Sequence, residues 1–389
     1  MLYIFLLSLL ISPLYFIKIN LLGIPGNFLM LGVLAVWLMF FLQLLKQNAL
    51  GLFFQFVKKL FRENFFVGLF LLSGLISLFV QGEPIKNLGQ FFVLFVQPVS
   101  LFVIGKYIFT DNLKKQKLIN LIYFTVSVCG MYAIFQYFTN FGLPILFQGN
   151  DIELKRSVSF FLHPNFYALF IAPLLALLIP DLLLSTKTRT FPNLKILAWL
   201  FGITGLIFSF SRAGWLGIVG ALTFYAIWTG DKKIRQTAAI VITIGIIIAL
   251  ATPSIKTKLF SPFTGEKSAS SRITLWQSGI KAIKSSPIFG LGLGGYAKEY
   301  NNLISDKTLP PHNYPHNIFL NFWTETGLTG LISFTFFILF TLSKTLKSKN
   351  IIHTGVAMFL IAFLLQGQID NPYFKNDLAL VFWLIMSLV

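Results

Sequence analysis

A polytopic, all-α membrane protein is the fold class this chain predicts, on three observations. Of its 389 residues, 56% are hydrophobic and 11% charged, whereas a soluble domain carries about 25% charged residues. Apolar stretches recur at roughly the 17–25 residues that a hydrocarbon core demands. Lys and Arg collect in every second connection between those stretches, the bias that fixes membrane orientation. The mean hydropathy of +0.78 agrees. A formal charge of +18 does not point to nucleic acid, because the basic residues are divided among short loops rather than gathered on one face.

The predicted spans are 2–17, 27–45, 65–81, 88–109, 118–138, 166–184, 195–211, 213–229, 236–252, 317–341, 351–367 and 377–389, twelve in all. The first apolar run, Leu2 to Phe16, lacks the basic start and small-residue cleavage site of a signal peptide and reads as a retained helix. One set of connections holds Lys46, Lys58, Lys59 and Arg62, then Lys106, Lys114, Lys115 and Lys117, then Lys187, Arg189 and Lys195. Lys232, Lys233 and Arg235, and finally Lys344, Lys347 and Lys349, complete that set. The opposite short loops are poor in Lys, with one near Lys18, one at Lys86 and one at Lys375. The basic side therefore reads as cytoplasmic, with both termini there. The whole chain, 1–389, reads as a single transmembrane domain with one large extracytoplasmic loop at 253–315. The lone Cys129 lies in an apolar run and excludes both an intrachain disulfide and a zinc site built on paired cysteines.

Within the large loop, Ser270 or Ser271 is expected to cap an amphipathic helix with Ile273, Trp276, Ile280 and Ile283 on its apolar stripe. Lys281 and Lys284 face away, Pro287 ends the helix, and Gly290 to Tyr296 reads as a flexible turn. A surface-lying helix roofing a cavity fits this pattern better than two further crossings.

Arg156, His163, Arg212, Arg272, His312, His316 and Asp370 all fall at or beyond the outer face of these spans. That gathering predicts a reaction or binding site at one membrane surface. Arg212 stands in Ser209-Phe210-Ser211-Arg212-Ala213-Gly214-Trp215, between two spans with almost no loop. An arginine so placed is costly unless it meets protein, water or an anion, and guanidinium grips phosphate oxygens in pairs. The plainer reading is snorkelling, or a pair with Asp370. His312 and His316 lie where the large loop re-enters the membrane, and a neutral imidazole there can take a proton from a sugar hydroxyl. Structural capping is the commoner role for either. Glu325, nine residues beyond His316, falls on the opposite helical face and is not expected to orient it. Arg156 offers a second cation, and His163-Pro164-Asn165 reads as a helix start. Arg272, at the start of the roof helix, is placed to close over an anion. Two histidines without a carboxylate pair make a poor metal site.

Taken in order, Arg156…His163-Pro164-Asn165, Phe210-Ser211-Arg212-Ala213-Gly214-Trp215-Leu216, Ser271-Arg272…Trp276…Pro287-Ile288-Phe289-Gly290-Leu291-Gly292, Pro315-His316-Asn317…Glu325-Thr326-Gly327…Gly330-Leu331 and Asp370-Asn371-Pro372 resemble the O-antigen ligase and O-antigen polymerase superfamily of bacterial envelope glycosyltransferases. The likeness runs from about residue 120 to the C-terminus. It implies about a dozen helices and a metal-independent, inverting glycosyl transfer that uses no cofactor. The donor would be a glycan on undecaprenyl diphosphate, and the acceptor a hydroxyl of a glycan, lipid or protein. The reaction would occur on the outer face of the cytoplasmic membrane. By the same resemblance Arg212 and Arg272 hold the diphosphate and His316 activates the acceptor; Arg156, His163, His312, Glu325 and Asp370 are further candidates for binding substrate. A second histidine four residues before His316 leaves two candidates for the base, and ligase and polymerase stay undivided. The alternative is a transporter of inorganic carbon or another small solute. That reading asks for ionisable residues at mid-depth on broken helices, and these spans carry almost none.

Overall fold

The computed structural model describes residues 9, 12–14, 17–21, 24–149, 154–188, 192–260 and 267–389. Most of the predicted span 2–17 lies outside the described residues. A short antiparallel hairpin, β1 (Lys18–Leu21) and β2 (Ile24–Asn27), stands where a plain connection was expected. Helices follow as α1 (Phe28–Lys46), α2 (Leu50–Glu63), α3 (Phe65–Ser77), α4 (Pro84–Phe91) and α5 (Gln97–Ile108). Next come α6 (Asn112–Thr139), α7 (Pro164–Thr188), α8 (Pro192–Phe208), α9 (Arg212–Thr229), α10 (Lys232–Ala251) and α11 (Pro253–Phe260). The chain closes with α12 (Lys267–Ser285), α13 (Gly295–Leu303), α14 (Ile318–Lys347), α15 (Ile351–Gly367) and α16 (Asn376–Met386). Polar side chains set several starts. Asn27 accepts from the Met30 amide at 2.9 Å to open α1, and Asp231 accepts from Lys233 and Ile234 to open α10.

This is an α-helical membrane protein. Among the described residues six helices are long and apolar enough to cross a bilayer: α1, α4 continued through a π-helical turn into α5, α6, α7, α10 and α14. A seventh arises only if α2 and α3, bent by 91°, count as one span. The expected twelve are not reached. Leu194–Phe208, Ile351–Gly367 and Asn376–Met386 are apolar but shorter than these, at 10–17 residues, and the predicted span 65–81 supplies only the 13 residues of α3. The predicted loop after Lys46 is largely helix α2.

The described contacts divide the chain into two compact units, 1–118 with 271–344 and 367–389, and 119–270 with 345–366. Aromatic rings build the core of the first. Phe70 stacks on Phe95 with centroids 4.7 Å apart and Phe322 on Phe334 at 3.9 Å. Tyr373 donates to the Leu94 carbonyl at 2.7 Å and accepts from Trp383 Nε1 at 2.9 Å, so its buried hydroxyl is satisfied on both sides. The second unit centres on α7, buried along most of its length, and on a polar knot: Gln136 Nε2 donates to Ser159 O (3.0 Å) and Ser157 Oγ to Ala133 O (2.7 Å).

The large loop differs from expectation in three respects. Its α12 begins at Lys267, so neither Ser270 nor Ser271 is its cap. The buried face is Leu275, Ser278, Ala282 and Ile283, while Ile273 and Ile280 of the expected stripe are exposed. The partner decides this: Leu275 and Ala282 pack with Tyr296, Tyr300, Leu303 and Ile304 of α13 and its exit, and Ser278 Oγ meets Tyr296 Oη at 2.6 Å. Finally, the glycine run is pinned rather than flexible. Leu291 N donates to Thr324 O (2.6 Å), Leu328 N to Ile288 O (2.9 Å), Trp323 Nε1 to Pro287 O (2.8 Å) and Gln81 Nε2 to Leu291 O (2.9 Å). These bonds thread the run into a break in α14, where Gly327 takes φ 67° and ψ −170°. A Cβ there would stand 2.2 Å from the Ile288 carbonyl oxygen, which leaves room for glycine alone.

Candidate active site

Three segments of the first unit converge on Asp370. The first is the start of α12, carrying Arg272. The second is the 312–317 loop, which ends where Asn317 Oδ1 accepts from Phe319 N (3.0 Å) and Leu320 N (3.1 Å) and so opens α14. The third is the turn after α15, in which Asn371 Oδ1 accepts from the amides of Tyr373 and Phe374. Asn317 Nδ2 donates to Gln368 O at 3.2 Å and ties the last two together. Their closeness depends on Gly367, where a Cβ would come within 2.7 Å of Ile318 Cγ2.

The buried Asp370 carboxylate meets His316 Nδ1 at 2.8 Å through Oδ1, and Arg272 Nη2 at 3.7 Å through Oδ2. Oδ1 also accepts from the Asn371 amide at 2.8 Å. Arg272 Nη1 donates to the Ile369 carbonyl. Trp276 Nε1 donates to His316 O at 3.2 Å and holds the backbone from the other side. Burial alone would push the Asp370 carboxyl up. The charges of His316 and Arg272 and the bonds from His316 and Asn371 outweigh it and hold the group well below the usual carboxylate range. An ionised carboxylate only accepts, so His316 Nδ1 carries the proton of this bond and Nε2 is the ring's second nitrogen.

His312 lies beside His316, ring centroids 5.2 Å apart and planes at 72°. Its Nδ1 donates to the Pro310 carbonyl at 2.6 Å rather than to a carboxylate. Burial first, then the charges of His316 and Arg272, hold it below the ordinary histidine value. Glu325 is buried, and its carboxylate accepts from the amides of Gly294 and Tyr296, so it caps α13 and does not touch His316. A cavity of about 530 Å³ lined by Gln81, Ser285, Lys298 and Asn302 lies at the far end of α12, thirteen residues and roughly 20 Å from Arg272 along that helix.

In the second unit, Arg156 donates through Nε to Ser209 O (2.9 Å) and through Nη2 to Asn165 Oδ1 (2.8 Å), bracing the α8–α9 junction against the start of α7. His163 Nδ1 accepts from the Asn165 amide at 3.1 Å, and its ring lies 5.1 Å from Phe147. The expected helix start is present, since α7 opens at Pro164. Arg212 is the first residue of α9, after a break of three residues.

Backbone strain marks the motifs. Besides Asn48 and Asn140, the described non-glycine residues with positive φ are Ser159 (53°), Phe210 (49°) and His316 (53°), each in one of three of the five motif segments. Such residues persist where surrounding contacts overdetermine them, often at functional sites. Among the described residues no group of three or more His, Cys, Asp or Glu side chains gathers as metal ligands would.

The missed relation was that of Asp370 to His316, 54 residues apart in sequence. The Asp370-Asn371-Pro372 turn was its only signal. A curated relative, an uncharacterized protein of Haemophilus influenzae, is 27% identical over 177 residues, 39% of this chain and 44% of the relative, so the match spans less than half the length of that protein. Residues 196–335, which include Arg212, Arg272, His312, His316 and Glu325, match the family model described as O-antigen ligase.

Proposed function

We propose that the protein is a metal-independent, inverting glycosyltransferase that takes a glycan from an undecaprenyl-diphosphate carrier at the outer face of a bacterial cytoplasmic membrane. The observation that carries this reading is the His316–Asp370 pair, 2.8 Å apart, with Arg272 on the second carboxylate oxygen. His316 Nε2 accepts the proton of the acceptor hydroxyl as its oxygen attacks the anomeric carbon. The bond from that carbon to the diphosphate breaks on the opposite side, and the lipid diphosphate leaves with the electron pair. Asp370 holds the ring and stabilises the imidazolium that forms. The leaving group's growing charge needs cations, a role assigned to Arg212 and Arg272. Arg156, His163 and His312 are proposed substrate contacts. Glu325 caps α13.

His316 is the better base of the two histidines because only its Nδ1 faces a carboxylate. The test is purified protein given a lipid-diphosphate glycan and candidate hydroxyl acceptors, with and without chelator. Transfer should survive chelation, vanish in His316→Ala and persist in His312→Ala. Loss on chelation would sink the metal-independent mechanism, and full transfer by His316→Ala would sink the assignment of the base.

A further inference from the structure

The 14 residues of α2, Leu50–Glu63, stand at 91° to α3. A helical wheel at 100° per residue sorts them sharply. Lys58, Arg62, Gln55 and Lys59 share an arc of about 100°. Phe56, Leu60, Phe53, Val57, Leu50, Phe61 and Phe54 fill an arc of about 160° on the other side. Leu52 alone breaks the pattern. The apolar arc is itself divided. Phe53 and Phe56 pack edge-on against Tyr107 at 5.4 and 5.3 Å, and Phe40 meets Phe53 at 5.1 Å. Phe54, on the opposite flank, is 67% exposed. The basic arc is exposed as well.

A helix with a charged face, a protein-packed flank and an uncovered aromatic flank has the build of one lying in the plane of the headgroups. The surrounding charge is predominantly positive. Lys106, at the end of α5, lies within the electrostatic reach of Lys344 and Lys115, with Glu63 as the opposing charge. Glu63 itself pairs with Lys59 at 3.8 Å, both exposed. Cations brought together with so little compensation want an anion. On an edge that also bares a phenylalanine, an anion attached to an acyl chain satisfies both features.

We propose that α2 is an interfacial helix that binds anionic phospholipid, with Lys58, Lys59 and Arg62 at the headgroup phosphates and Phe54 among the acyl chains. Each basic residue near an anionic surface strengthens association roughly five-fold, so removing three weakens it on the order of 100-fold. This inference is independent of the transfer reaction.

The experiment places the full chain in nanodiscs of phosphatidylcholine alone or with phosphatidylglycerol. It measures the thermal midpoint and, by native mass spectrometry, the phospholipids retained. Phosphatidylglycerol should raise the midpoint and be retained preferentially by the wild type, and both effects should shrink as salt rises. Lys58→Gln/Lys59→Gln/Arg62→Gln should abolish the preference, and Phe54→Ser should lower retention of both lipids while keeping the preference. The wild-type salt series stands alone should the triple variant fail to insert. Equal retention of the two lipids by the wild type, or an undiminished preference in the triple variant, overturns the proposal. So does an equal midpoint rise from inorganic phosphate in phosphatidylcholine discs, which would make this a site for free anions.

Discussion

Asp370 meets three neighbours, and each contributes something different. His316 gains an orientation, Arg272 balances the charge, and the Asn371 amide fixes the turn. An amide at this position keeps the shape but offers an N–H as readily as an oxygen, which releases the His316 tautomer. Asp370→Asn is therefore expected to lower the turnover of glycan transfer by about 10²–10⁴-fold with a small change in KM. The acid behaviour follows from the depressed carboxyl. Its contribution to stability is complete above the ordinary aspartate value near 3.9 and is lost as pH falls through the lower folded-state value. The thermal midpoint of the wild type should thus exceed that of Asp370→Asn by a constant amount at neutral pH and approach it only in strong acid. The cast of residues was legible in the sequence, since Arg272, His316 and Asp370 each stand in a recognisable motif. Their partnership was not. It rests on the backbone approach of Gly367 to Ile318, which leaves no periodic trace.

At the level of elements, apolar periodicity located the helices and misjudged their faces. Ile273 and Ile280 carry the pattern of a buried stripe in α12, yet Leu275 and Ala282 do the packing. In a membrane protein an apolar side chain need not face protein, so hydrophobicity no longer separates core from surface. The glycine-rich run was misread for a related reason. Its composition signals freedom, whereas its role is to let backbone touch backbone at Gly290 and Gly327. Gly327→Ala should cost more than about 4 kcal/mol, because it adds both a left-handed strain and a 2.2 Å clash with Ile288 O, and should appear as loss of folded protein in detergent melts. A buried ion pair sits at the start of α16, Lys375 Nζ and Asp377 Oδ1 at 3.8 Å. Burial pushes the Lys375 ammonium down to about 8, opposed by Asp377 and Asp370. Lys375→Met should destabilise by about 3–5 kcal/mol by stranding the carboxylate, while Lys375→Met/Asp377→Leu should come within about 2 kcal/mol of the wild type. The same melts decide it.

For the molecule as a whole, composition was enough to assign a helical membrane protein, and counting was not enough to number its crossings. Short apolar helices such as α15 and α16 satisfy a hydropathy window together with their flanks but supply only 17 and 11 helical residues. The assignment of loops to the two sides depends on how many helices cross, so the orientation is itself a prediction to be tested. Single-cysteine labelling of intact cells tests it. Cys129 is buried, so the background is low. Cysteines at Lys298 and Lys307 should react with an impermeant maleimide from outside, and cysteines at Lys59 and Lys233 only after the membrane is opened. Labelling of all four from outside would overturn the orientation.

The left-handed residues at Ser159 and Phe210 carry one more implication. Apart from glycine, only asparagine, aspartate and a few other residues enter that basin cheaply, and the β-branched ones scarcely enter it at all. A saturation library read by surviving growth or glycan display should therefore split these two positions by backbone compatibility rather than by size or polarity. Such a split would expose the shape of the turn to a purely genetic readout.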